Sequence, residues 1–132
     1  MPSDLNILVV DDSATMRRII KGQLRKAGYK QMGEAEDGAH ALDELKDGDF
    51  TFLVTDWNMP HMDGLELIKQ LRSQERFKSL PILVVTTRNG KDDVVVAIKE
   101  GANNYVVKPF GPKQLGEKIE QVMTALGQGG AA

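Results

Sequence analysis

Apolar positions along this chain fall into two alternating patterns, and that alternation predicts the architecture. Leu5-Asn6-Ile7-Leu8-Val9-Val10 is a mostly apolar run rather than a strict alternation, as expected of a strand buried on both faces. From Ser13 the period changes: Met16, Ile19, Ile20, Leu24 and Ala27 recur at helical spacing, and Gly28 follows as a stop. Gln31 to Glu36 is a weaker, more polar strand, placed at a sheet edge. A helix from about Gly38 to Lys46 turns Ala41, Leu42 and Leu45 inward and closes at Gly48. The strand Thr51 to Thr55 runs into Asp56 and a loop, Trp57 to Met62, after which Asp63-Gly64 opens a helix with Leu67, Ile68 and Leu71 on one stripe. Pro81 leads a fourth strand, Ile82-Leu83-Val84-Val85, that ends in Thr86-Thr87. Gly90 to Glu100 reads as a helix, but Val94-Val95-Val96 is β-branched and costs a few tenths of a kcal/mol per residue relative to Ala, so this is the helix expected to be least rigid. A fifth strand, Asn104 to Val107, ends in Lys108-Pro109, and Pro112 starts a last helix striped by Leu115, Ile119, Val122 and Leu126.

Five strand-plus-helix units predict an α/β fold: an all-parallel sheet with five helices distributed over both faces. Parallel strands joined by crossover helices all run the same way, so their carboxyl ends share one rim. Asp11, Asp12, Asp56, Thr86 and Lys108, far apart in the chain, therefore converge on the edge where open α/β sheets bind ligands.

Composition narrows the classes. With 132 residues and 14.5 kDa, residues 1–126 make one domain, and the Gly- and Ala-rich 127–132 has nothing to bury and is expected to fray as a flexible C-terminal tail. A hydrophobic content of 41% beside 27% charge argues against disorder. No apolar run approaches the roughly 20 residues that cross a bilayer, and Met1-Pro2-Ser3-Asp4 lacks the basic and apolar regions of a secretory signal, so no membrane role is expected. The absence of cysteine rules out disulfides, thiolate metal sites and a cysteine nucleophile, and suits a cytoplasmic location. A net charge of −2 offers no general footprint for nucleic acid; the basic residues Arg17, Arg18, Lys21, Arg25 and Lys26 lie along one helix and are expected to form a solvated face. His40 and His61 are isolated and expected at the surface, while Met16 and Met62 are expected to pack in core or loop.

Three stretches carry a family resemblance: Val9-Val10-Asp11-Asp12; Asp56-Trp57-Asn58-Met59-Pro60 with Met62-Asp63-Gly64; and Tyr105-Val106-Val107-Lys108-Pro109-Phe110, with Thr86 between the last two. Each is weak alone, but together and in this order they resemble the receiver domain of two-component response regulators over nearly the whole chain, most closely its stand-alone chemotaxis members. The resemblance implies strand order 2-1-3-4-5, the flavodoxin-like arrangement. Neighbouring strands lie roughly 4.8 Å apart, so Asp12 and Asp56 are then close enough to share one small cation, and Lys108, about 10 Å away at the backbone, has a side chain long enough to approach.

That family also implies chemistry. Asp56 is the expected phosphorylation site, accepting a phosphoryl group from a histidine kinase, with Thr86 and Lys108 assisting as catalytic residues and water later removing the group. Mg²⁺ is the expected cofactor, with Asp12 and Asp56 as direct ligands, the Asn58 carbonyl as a third and Asp11 aiding through water; an all-oxygen donor set suits that ion. The Lys108-Pro109 bond is expected to be cis. Thr86 and Tyr105 are the expected switch pair, and Lys91, Val94, Tyr105, Val107 and Lys118 the partner-binding positions. Since no DNA-binding domain follows the last helix, output is expected through protein contact, with the flagellar motor switch as target, a phosphatase as terminator and the chain itself a monomer. It would catalyse its own phosphorylation and dephosphorylation, yet act chiefly as a signalling switch. Arg88 stands where enteric members carry an acid and, with Asn58, flanks the route of hydrolytic water. Two other classes stay open: an aspartate-based phosphohydrolase, which would carry its nucleophile after the first strand and a second acid two residues on, and a flavin carrier, which would need a Ser-, Thr- and Gly-rich first loop. Within the family, a receiver of another phosphorelay is the remaining alternative.

Overall fold

The computed structural model describes residues 4–127, and the expected tail lies almost wholly outside them. Five parallel strands, β1 (Asn6–Val10), β2 (Gln31–Ala35), β3 (Phe52–Thr55), β4 (Ile82–Thr86) and β5 (Asn104–Val107), stand in the order β2-β1-β3-β4-β5. The helices α1 (Ala14–Lys26), α2 (Gly38–Asp47), α3 (Gly64–Arg72), α4 (Lys91–Glu100) and α5 (Pro112–Ala125) alternate with them, and a short 3-10 turn spans Glu75–Phe77. Among the described residues, no helix is long and apolar enough to cross a membrane.

Strand alternation divides the core in two. Ile7, Val9, Phe52, Val54, Leu83, Val85 and Val106 point to the face covered by α1 and α5. Leu8, Val10, Leu53, Ile82, Val84 and Tyr105 point to the face covered by α2, α3 and α4. Every residue of β1 but the first is buried, as are all those of β3 and β4, because each of these strands has a neighbour on both edges and helices above and below. β2 takes the edge expected of it, and only Ala35 is fully buried there.

Three helices open on side-chain caps that leave their strands' ends firmly aimed: Ser13 Oγ accepts from the Met16 N–H, an Asp37 carboxylate oxygen from His40, and one of Asp63 from Glu66. Two positions of the apolar stripes depart from expectation. Ile19 is 45% exposed, because α1 meets the sheet through Ile20 and Leu24, about a third of a turn away. Leu126 is 39% exposed and lies past the end of α5.

Candidate functional site

Three of the rim residues hang from the strand next to their own. The ladder extends one residue past the strands: Asp11 donates its N–H to the Ala35 carbonyl at 3.2 Å, Asp56 to Val10 at 2.9 Å and Lys108 to Thr86 at 2.8 Å. This fixes the backbone of all three at the carboxyl edge before any side chain is considered. The Lys108-Pro109 bond is cis, as expected.

One carboxylate oxygen from each of Asp11, Asp12 and Asp56 lies within 4.8 Å of the other two. Asp11 and Asp56 are buried, whereas Asp12 is exposed. Asp56 Oδ1 accepts the Trp57 N–H at 2.6 Å, and Asp11 Oδ1 accepts the Ser13 N–H at 2.9 Å. Their other oxygens share one ammonium: Lys108 Nζ donates to Asp11 Oδ2 at 2.7 Å and to Asp56 Oδ2 at 3.1 Å. Burial alone would depress the pKa of Lys108, but its hydrogen bond to Asp11 and the negative charges of Asp56 and Asp11 outweigh it and hold the ammonium above the ordinary lysine value. Lys108 therefore spans the gap between its strand and Asp56, and it grips Asp11 more closely still.

Three carboxylates with one ammonium between them retain excess negative charge. The donors are hard oxygens, and the exposed side at Asp12 leaves room for water ligands, so the set fits an octahedral dication such as Mg²⁺. Asn58 lies two residues beyond Asp56 on an exposed loop, its side-chain oxygen accepting from Arg88 Nε at 3.1 Å.

Thr86 is fully buried at the end of β4, and its Oγ1 accepts the Arg88 N–H at 3.4 Å. Tyr105 is buried as well, with 6% exposure. Its hydroxyl donates to the Arg88 carbonyl at 2.9 Å and its ring meets Trp57 edge to face, centroids 6.5 Å apart. Burial first, and the Asp93 charge second, push the phenol up to about 12. The Arg88 guanidinium sits 4.4 Å above the Trp57 ring and reaches Asp93 at 3.3 Å. A single residue thus touches the loop of Asp56, the first turn of α4 and the hydroxyl of Tyr105.

The remaining candidates scatter by burial. Lys91 is exposed, Val94, Val107 and Lys118 are half-buried, and all belong to α4, β5 and α5. His40 and His61 are at the surface as expected but not isolated, lying 3.6 Å from Glu44 and 3.2 Å from Asp37. Arg17 and Lys21 depart from the solvated face expected of the basic helix, with side chains only 14% and 21% exposed and both bound to Glu34. Sequence reasoning also passed over the close approach at Gly64: a Cβ there would meet the Asp56 carbonyl oxygen at 2.1 Å, so α3 starts against the site's own backbone. A lone Gly after an Asp cap signals a helix start, and nothing in its spacing reveals what presses against it.

Residues 7–120 match the response regulator receiver domain, and the chain belongs to that family. It is a CheY-like chemotaxis response regulator. Chemotaxis protein CheY1 of Helicobacter pylori is 52% identical over 120 residues, covering 90% of this chain and 97% of that protein. The CheY homolog of Campylobacter jejuni is 51% identical over 129 residues, covering 96% and 99%. Among solved structures, chemotaxis response regulator CheY4 of Vibrio cholerae superposes with a TM-score of 0.82 at 35% identity, covering 89% of this chain and 98% of that one.

Proposed function

We propose that this chain is a phosphoryl-accepting chemotaxis switch in which Asp56 takes the phosphoryl group of a phosphohistidine on a histidine kinase and the altered face engages the flagellar motor switch, in the cytoplasm. The observation that carries this reading is a buried carboxylate at the end of a central strand, flanked by two further acids and reached by a lysine at 3.1 Å. In the transfer, an Asp56 oxygen forms the new O–P bond as the N–P bond to the donor imidazole breaks. Catalysis of that kind is mostly positioning and charge stabilisation.

Asp11, Asp12, Asp56 and the Asn58 carbonyl would hold Mg²⁺. When bound, the ion supplies charge neutralisation at the carboxylates and at the transferring phosphoryl oxygens. Lys108, kept cationic by Asp11 and Asp56, shifts from their oxygens to the incoming phosphoryl group. Thr86, whose hydroxyl hydrogen is free to turn while its oxygen accepts from Arg88, donates to another phosphoryl oxygen. The Trp57 N–H holds Asp56 in place throughout.

Signalling follows from that donation. The phosphoryl group adds charge of about −2 and strong acceptors, enough to draw Thr86 toward it and away from the Arg88 N–H. Arg88 leads the loop into α4 and carries the carbonyl that Tyr105 binds, so the movement is passed to both. Tyr105 is already inward, so this reading asks it to tighten rather than to travel from solvent. Lys91, Val94, Tyr105, Val107 and Lys118 are the proposed contact positions. Arg88 and Asn58, bonded over Trp57, form the outer wall on the path of hydrolytic water.

Incubation with a small-molecule phosphodonor and Mg²⁺ is expected to label the wild-type chain at Asp56 and quench the fluorescence of Trp57, the only tryptophan. Asp56→Asn is expected to take no label; labelling at the wild-type level would refute the assignment. Arg88→Ala is expected to shorten the phosphoryl lifetime several-fold, and an unchanged decay would remove Arg88 from the wall.

A further inference from the structure

The charge on α1 is spent on the site's edge. Arg17 Nη1 donates to the main-chain carbonyl of Asp11 at 2.6 Å, and Arg17 Nε to Glu34 Oε1 at 2.6 Å. Lys21 Nζ takes the other Glu34 oxygen. These hydrogen bonds, Lys21's first and Arg17's second, hold the Glu34 carboxyl below its usual range despite its partial exposure. Glu34 stands on β2 opposite Val9, one residue before Ala35, whose carbonyl receives the Asp11 N–H.

The consequence falls on Asp12. Asp11 is held at every polar atom: its N–H by Ala35, its carboxylate by Ser13 and Lys108, and its carbonyl by Arg17. Asp12 is exposed, and among the described residues its carboxylate has no hydrogen bond or ion pair of its own. The direction in which that side chain leaves the backbone is thus set by the peptide before it, whose oxygen Arg17 grips. A bare guanidinium beside a site for a dication would oppose the ion; Glu34, which it shares with Lys21, offsets part of that charge while bracing the fork that makes the contact.

We propose that Arg17, braced by Glu34, is a positioning residue for the cation site: it locks the Asp11–Asp12 peptide and so keeps the Asp12 carboxylate within reach of Asp11 and Asp56. This rests on the reading of those three acids as the Mg²⁺ site. Residues that orient metal ligands in this way commonly change affinity by about tenfold or more when replaced.

The experiment is a titration of MgCl₂ into the metal-free full chain, read by Trp57 fluorescence and calorimetry, with amide hydrogen exchange measured on the same metal-free proteins. Arg17→Ala is expected to weaken Mg²⁺ binding about tenfold and to speed exchange at the Asp12 and Ser13 amides, with Arg17→Lys recovering part of both. Glu34→Gln is expected to weaken binding less, and most at low salt, since it leaves the guanidinium uncompensated. Thermal unfolding checks that each variant is folded; should Arg17→Ala not fold, Arg17→Lys and Glu34→Gln carry the same test. Mg²⁺ affinity in folded Arg17 variants equal to or tighter than wild type, with unchanged exchange at Asp12, would overturn the proposal. Asp12→Ala separates the two levels: wild-type binding that Asp12→Ala does not weaken sinks the reading of the site itself, whereas binding lost in Asp12→Ala but intact without Arg17 sinks only the positioning role.

Discussion

Helices α3 and α4 each follow a strand that ends in the site, yet they are held very differently. The nine residues of α3 bury Gly64, Leu67, Ile68 and Leu71, and Asp63 caps its first turn. The ten residues of α4 bury only Ala97, begin at Gly90 without a side-chain cap, and leave Val95, Val96 and Ile98 39–49% exposed. One helix is pinned to the backbone of Asp56. Among the described residues the other meets the core through Ala97 and Val94 alone, and its first turn is tied by the Asp93 ion pair to Arg88, whose carbonyl accepts from the Tyr105 hydroxyl. The contrast separates an anchor from an element poised to move, and a switch needs both: a rigid place for the chemistry and a neighbour whose states are close in energy.

Core deletion gives the widest separation between the two. Leu67→Ala in α3 is expected to cost about 2–5 kcal/mol in denaturant unfolding, whereas Ile98→Ala in α4 should stay within about 0.5 kcal/mol. Comparable losses would mean that α4 is as firmly packed as α3. Next in size, Gly64→Ala drives a methyl into the Asp56 carbonyl and is expected to cost about 1–3 kcal/mol or more while weakening phosphodonor labelling. A variant with wild-type stability and labelling would show that α3 can back away from the site freely.

Alkaline titration compares the two faces through their phenols. Tyr29, under α1 and α5, and Tyr105, under α4, are each pushed from 10.0 up to about 12, first by burial and then by the nearby charges of Glu120 and Asp93 respectively. A phenol whose folded pKa exceeds its unfolded value gives its full stabilisation below about 10 and loses it as pH rises to the folded value. Stability should therefore fall between pH 10 and about 12, with no tyrosinate absorbance step near 10 in the folded protein. Phosphorylation, which tightens Tyr105 inward and adds negative charge on its side of the sheet, should raise its value further and leave that of Tyr29 in place; if both phenols moved together, the faces would not be independent. The smallest effect is expected from Gly90→Ser, which supplies the missing cap. A gain of a few tenths of a kcal/mol, with slower amide exchange confined to the first turn of α4, is the expected result. Equal slowing across α3 would contradict their separation.

The strands were legible because β-branched apolar runs, bounded by Asp, Pro and Gly, have few other uses, and the rim was legible because parallel topology delivers every strand end to one edge. What escaped was whatever depends on a side chain's reach. Arg17 looked like one of five solvated cations and instead crosses to β2 and the Asp11 carbonyl. Tyr105 was legible as one of the switch pair, but its burial and its bond to the Arg88 carbonyl were not, since both depend on the loop before α4 closing over it. Ile19 fits the helical period yet points past the sheet, since periodicity marks a stripe without saying how wide a stripe the sheet covers.

Local order along the chain, the alternation of strand and helix, the caps at Ser13, Asp37 and Asp63 and the placing of acids, threonine and lysine at strand ends follow from short-range patterns and chain direction, and the sequence alone determined them. Which oxygen Lys108 grips, which carbonyl Arg17 pins and how loosely α4 lies were decided only when distant segments packed. The reason is physical: backbone propensity acts over a few residues, whereas charge pairing and burial act through space between residues as much as 97 positions apart.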